Sequence, residues 1–181
     1  MTKLLHYSKI PPNLSQEIET AKDRAAGGLI ISKSSGNILL GLRSNEVESP
    51  NKYGVFGGRF DDFESPEEAL EREIFEETGY PLFGGYKPLC VYYDEATQFA
   101  YHTQVALTDH DFSPELNWEH SEAKWLSLKE VLNIPEHDLH EGLALALSEP
   151  DVIKELTNIT NHFKVKSFKN DSVEQDTDFS Y

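Results

Sequence analysis

The feature that most constrains this chain is a sharply bounded helix signal at residues 65–79. Ser65 is an N-cap candidate, Pro66 stands at the first helical position, and Glu68 completes a capping box with Ser65. Gly79 supplies a C-terminal stop, so the helix is expected to run to about Thr78. Between residues 64 and 77 the sequence places seven carboxylates and one cation, Arg72. A solvated helix face ordinarily mixes its signs to gain i,i+4 pairs, and this one does the reverse. At roughly 100° per residue, Glu73, Glu76 and Glu77 fall within an arc of about 100° that borders the apolar stripe of Leu70 and Ile74. Glu67 and Glu68 lie in the first turn, where the helix dipole favours acids; Glu76 and Glu77 lie in the last, where it does not.

Two readings of that cluster stand side by side: an acidic surface helix, or three carboxylates that share a cation. With no Cys or His among them, all-oxygen ligation points to Mg²⁺ or Mn²⁺ rather than zinc. The residues just before the helix favour the second reading. Gly57-Gly58 permits a close backbone approach to a ligand, and Glu64 adds a carboxylate ahead of the cap.

Strand-like runs surround the helix, at residues 27–31, 38–42, 53–56, 89–93, 99–107 and 124–126. Ser127 opens a short helix, and two more helices are expected over residues 139–147 and 151–163. Hairpin-type turns beside longer crossovers predict an α/β or α+β sandwich with a mixed sheet. Residues 1–24 read as a polar N-terminal extension, with a helix in residues 14–24. Residues 164–181 read as a polar, disordered tail.

The formal net charge of −16 argues against tight binding to nucleic acid or to an anionic membrane, because both need clustered Lys and Arg. No apolar run approaches the length of a membrane span, and residues 1–13 lack the layout of a secretory signal. Cys90 is the single cysteine, which excludes an intrachain disulfide and makes a reducing, cytosolic setting the natural expectation.

Taken in order, Gly58, Glu64, Arg72-Glu73, Ile74, Glu76-Glu77 and Gly79 resemble the signature of the Nudix hydrolase family, with Tyr80 where an aliphatic residue is usual. Residues 39–43, ending in Arg43, and the stretch around Trp125, Leu126, Leu128 and Glu130 extend the resemblance over about residues 25–147, within a domain read as 25–163. It implies a Nudix α/β/α sandwich and Mg²⁺-dependent hydrolysis of a nucleoside diphosphate linked to another moiety. Glu73, Glu76 and Glu77 would ligate the metal, with the Gly57 carbonyl as an additional ligand, and Arg72 would orient the glutamates. Glu64 would support them. The proton acceptor is a box glutamate or a group in the loop before Trp125, where Glu122 is preferred to Glu119 and His120, although all three also read as plain loop surface. Arg43 is a phosphate contact or an exposed loop arginine. Tyr92, Tyr93, Phe99 and Tyr101 stack on a base or pack in the core, with Gly58 and Phe99 taken as substrate contacts. The substrate is expected to be a small nucleotide; an RNA cap-type substrate and a catalytically silent binding module are the alternatives. A homodimer is left open, with the residues before Ala25 available as a swapped arm or lid.

Overall fold

The computed structural model describes residues 2–82 and 84–174, with side chains described as far as residue 164. Eight strands form one mixed sheet: β1 (Thr2–His6), β2 (Asp23–Ser32), β3 (Ile38–Arg43), β4 (Tyr53–Gly54), β5 (Phe56–Arg59), β6 (Tyr86–Asp94), β7 (Phe99–Thr108) and β8 (His120–Leu126). Their order is β1-β6-β7-β2-β3-β4, with β5 also paired to β2 and β8 to β3. The β2–β7 pair is parallel and the others are antiparallel. Among the described residues five α-helices cover the sheet: α1 (Pro12–Glu19), α2 (Pro66–Thr78), α3 (Leu128–Leu132), α4 (Glu141–Ser148) and α5 (Pro150–Glu174).

Strand alternation divides the core between the two faces. On one face Ala26, Ile30, Leu39, Ala106 and Trp125 meet Leu70 and Ile74 of α2, and beside them Val91, Tyr93 and Ala100 meet Leu14 and Ile18 of α1. On the other face Leu29, Ile31, Leu40 and Val105 meet Leu143 and Leu147 of α4 and Val152 and Leu156 of α5. This is the expected α/β/α sandwich. Gly28 lets α2 sit close on β2, since a side chain there would run into Leu70.

The capping box of α2 forms as the sequence dictates: the Ser65 side chain accepts from Glu68 N, and Glu68 accepts from Ser65 N. Gly79 ends the helix in the left-handed region at φ 68°, a conformation that favours glycine. Tyr80, the departure from the family signature, stacks on Phe112 at 3.8 Å between ring centres and is a packing residue.

Both ends of the chain differ from the expectation. The polar N-terminal extension joins the sheet: β1 lies along β6 in five-residue register. The helix expected over residues 14–24 spans Pro12–Glu19, starting at a proline that needs no amide hydrogen in the first turn, while Asp23 and Arg24 already belong to β2. At the other end α5 continues through residues 164–174, where the polar composition suggested a structureless tail. The rest of that tail, residues 175–181, lies outside the described residues. Among the described residues no helix is long and apolar enough to cross a membrane.

Candidate active site

Between β3 and β5 the sheet forks, because both strands lean on β2 at different heights, and the fork opens a crevice beside the C-terminal half of α2, at Glu73 and Glu77. Gly57 and Gly58 form its lip. Gly57 holds φ at +149°, and a side chain there would strike the backbone of Ala26. A side chain at Gly58 would strike the Glu73 carboxylate, so the helix carboxylates approach bare backbone.

Arg72 organises the acids. Its Nε and Nη2 donate to the two oxygens of Glu64 at 2.8 and 2.9 Å, its Nη1 donates to Glu73 at 2.8 Å, and Nη2 also reaches the Arg59 carbonyl. The two-pronged pair with Glu64 holds that carboxyl below its ordinary range. Glu64 in turn accepts from the Asp61 amide at 2.8 Å, which ties the loop to the helix. Arg72 therefore spans Glu64 and Glu73, leaving Glu76 only a 3.6 Å contact.

The three glutamates of the arc differ sharply in setting. Glu76 is 55% exposed, whereas the Glu77 side chain is 3% exposed. Glu77 Oε2 accepts from Gly57 N at 2.7 Å. Burial, with Glu119 and Glu73 nearby, pushes the Glu77 carboxyl up to about 9. Burial also raises Glu73, against the pull of Arg72. Among the described residues no three acidic, His or Cys side chains are gathered into a finished cage. The donor set still fits a hard divalent cation. It is all oxygen, and the buried Glu77 faces two like charges while the guanidinium nearby is engaged elsewhere.

The loop before β8 is pinned at two points. Glu115 N and Asn117 N donate to the last carbonyls of α2, those of Thr78 and Glu77, and Ser44 N donates to the Glu119 carbonyl. These bonds satisfy helix-end acceptors and bring Glu119 close enough to raise both Glu73 and Glu77. His120 is buried against Phe56 and fills the space that Gly41 leaves, with Nδ1 3.9 Å from Glu77. Burial pushes it down to about 4, so it is a neutral wall of the crevice.

Glu122, the preferred base in the sequence, does not join this group. Strand β8 sends Ala123 and Trp125 to the α2 face, so Glu122 and Lys124 point to the other, where they pair at 3.0 Å. Arg43, at the end of β3 and opposite His120, does reach the crevice. Its guanidinium donates to the Glu48 carbonyl at 2.9 Å and puts positive potential on Glu77, His120 and Tyr101.

Gly58 and Phe99 line a cavity of about 320 Å³ on the α4 face, with Tyr92, Tyr101, Leu4 and His140. Tyr93 points the opposite way, into the core beneath α1. The Tyr101 hydroxyl passes over Gly27, where any side chain would collide with it. Tyr101 thereby links the cavity to the acids, and burial together with Glu77 raises its phenol well above the usual range. The part played by Leu4 and His140 was hidden in the sequence, since neither stands near a motif.

A NUDIX domain model matches residues 21–147 of this chain. Comparison with curated proteins returns no match. Solved structures do match. A Nudix hydrolase from M. smegmatis, RenU, superposes with a TM-score of 0.58 at 23% identity, over 76% of this chain and 85% of that one. The MutT Nudix hydrolase from Burkholderia pseudomallei gives 0.54 at 27% identity, over 71% and 97%. The NUDIX domain of Shewanella oneidensis NrtR, complexed with ADP ribose, gives 0.52 at 21% identity, over 71% and 84%. The crevice with its bound glutamates, the matched domain and these shared folds together place the chain in the Nudix hydrolase family, as a Nudix pyrophosphohydrolase.

Proposed function

We propose that this chain hydrolyses the diphosphate linkage of a small nucleoside diphosphate derivative, with Mg²⁺ or Mn²⁺ as cofactor. The observation that carries the reading is Glu77: a carboxylate buried at the crevice, facing Glu73 and Glu119, with Arg72 engaged by Glu64 and Glu73. Glu73, Glu76, Glu77 and the Gly57 carbonyl would hold the cation. When bound, it would offset the charge of the diphosphate and lower the pKa of the attacking water.

The chain's own residues then have distinct tasks. Arg72 fixes the rotamer of Glu73 and shields the acids from one another. Glu119 accepts the proton of the attacking water, since it is the loop carboxylate anchored beside Glu73 and Glu77. Arg43 is placed to meet a phosphate oxygen at the mouth. Gly58, Phe99, Tyr92 and Tyr101 bound the space for the nucleoside. His120 excludes water from behind Glu77.

ADP-ribose heads the substrate panel, because the same fold holds ADP ribose in NrtR. Nucleotide sugars, dinucleotides, oxidised deoxynucleoside triphosphates and capped RNA complete it. The expected result is Mg²⁺- or Mn²⁺-dependent release of a nucleoside monophosphate from a small member of the panel, with capped RNA disfavoured by the −16 charge. Absence of turnover on every member, together with no metal binding by calorimetry, would overturn the reading and leave a binding module.

A further inference from the structure

The floor of the aromatic cavity follows from strand register. Leu4 of β1 stands opposite Tyr92 of β6, and Tyr92 opposite Tyr101 of β7. Tyr101 lies beside Ala25 of β2, and Ala25 opposite Arg59 of β5. All five line the cavity. Cross-strand partners share one face of the sheet, so residues from five separate strands make a single straight row. The row ends next to Gly58 of the box. It begins in β1, outside the matched domain of residues 21–147.

At about 320 Å³ the cavity is at the small end of the range of about 300–1,000 Å³ typical of ligand sites, which suits one ring system and not a whole dinucleotide. Tyr92 and Tyr101 offer rings to a flat apolar group in its middle. Leu4 stands at the end remote from the acids. Its strand is held by backbone pairing with β6 and the His6–Glu155 pair to α5, and the turn that follows it by the Lys9–Asp151 pair and the Tyr7 hydroxyl on His102 of β7. A wall so anchored can discriminate by size, because moving it would break contacts in both layers.

We propose that β1 is the specificity wall of this active site, with Leu4 setting how large a nucleobase the cavity accepts. The proposal rests on the hydrolase reading above and adds to it a subsite supplied by the N-terminal extension. ADP-glucose and UDP-glucose differ only in their base and make the comparison direct. Filling the far end with Leu4→Trp is expected to raise KM for ADP-glucose by about tenfold or more, because one misplaced group in an apolar pocket is worth about that much. The rise for UDP-glucose should stay within about threefold, with kcat changing far less than KM for both. Leu4→Ile restores the native ratio.

Binding of AMP and UMP, measured by calorimetry, reads the same wall without turnover. Leu4→Trp should weaken AMP several-fold more than UMP. Leu4→Phe serves if the larger ring prevents folding, as judged by circular dichroism. An unchanged ratio of the two KM values, and of the two affinities, in a folded variant would overturn the inference, as would a wild-type protein that binds neither monophosphate. Failure of the hydrolase reading gives a different result: monophosphate binding that responds to Leu4, with no turnover of any substrate.

Discussion

The two sides of the crevice are built in opposite ways. The acid side comes from one contiguous stretch, Gly57 to Gly79, in which helix geometry alone sets Glu73, Glu76 and Glu77 on one arc. The aromatic side is assembled from Leu4, Tyr92, Phe99 and Tyr101, three strands whose alignment depends on long-range register. The acid side is crowded with like charge and held by Arg72, so its chemistry depends on exact electrostatic balance. The aromatic side is apolar and held by packing, so its selectivity depends on volume. Changes on the first side should therefore act on kcat, and changes on the second on KM.

The largest effect is expected on the acid side. Glu76→Gln keeps the size and shape of an exposed side chain and removes one carboxylate charge from the proposed ligand set. We expect kcat to fall by about a thousandfold or more, since a cation's stabilisation of the transition state is worth several kcal/mol. Thermal unfolding should stay within a few degrees. Near-native turnover in this variant would remove Glu76 from the metal-binding set and with it the contrast between the two sides.

This contrast also explains what was legible in the sequence. The capping box, the stop at Gly79 and the spacing from Gly58 to Glu77 are local, and the structure reproduces each of them. The strand in the extension is not legible because its partners are remote: Thr2 to His6 find theirs at residues 90–94, and nothing within residues 2–6 announces it. The end of α5 is hard to see for a different reason, since the mostly polar composition of residues 164–174 reads as a tail although the backbone remains helical. Whether Glu122 reaches the glutamates of α2 turns on a single alternation. Glu122 is nearer Trp125 in sequence, but it is an odd number of positions from Trp125 along β8 and so faces away from α2, whereas the register shift opposite Leu42 and Arg43 turns His120 back toward Glu77.

Glu119→Gln should produce the next largest effect. Removing a general base costs about a hundredfold or more in kcat, with KM little changed. The loss should be relieved as pH rises, because hydroxide can replace the missing base. A pH–rate profile of Glu119→Gln parallel to that of the native enzyme would return the role to a box glutamate.

The extension makes a further prediction at His102, beneath Tyr7 and beside Arg24 and Phe60. Burial, then Arg24, pushes this imidazole down to about 4 from an ordinary 6.5. The group is neutral in the fold and takes up a proton more readily when unfolded. Its contribution is thus fully present above about pH 6.5 and is lost as pH falls toward 4. The loss is on the order of 2–4 kcal/mol, at 1.36 kcal/mol per pKa unit. His102→Gln should flatten that part of the curve of unfolding free energy against pH, measured by urea denaturation. An unchanged slope would mean that Tyr7 and the extension do not keep this site dry.

The smallest expected effect separates the two carboxylates that flank His120. Glu122 lies on the α4 face of β8, its side chain 45% exposed and paired with Lys124, whose ammonium also rests on the Tyr53 ring and hydroxyl. An exposed pair of this kind contributes about 0–1 kcal/mol to stability. Glu122→Gln should accordingly leave kcat within about twofold, and the melting temperature within a few degrees, because no part of the side chain faces the α2 layer. Measured beside Glu119→Gln on one substrate, the two variants test the strand register itself. A loss of activity at Glu122 equal to that at Glu119 would require β8 to present its other face to the crevice. That would in turn move Trp125 out of the core, where its indole N–H donates to the Phe112 carbonyl at 2.8 Å.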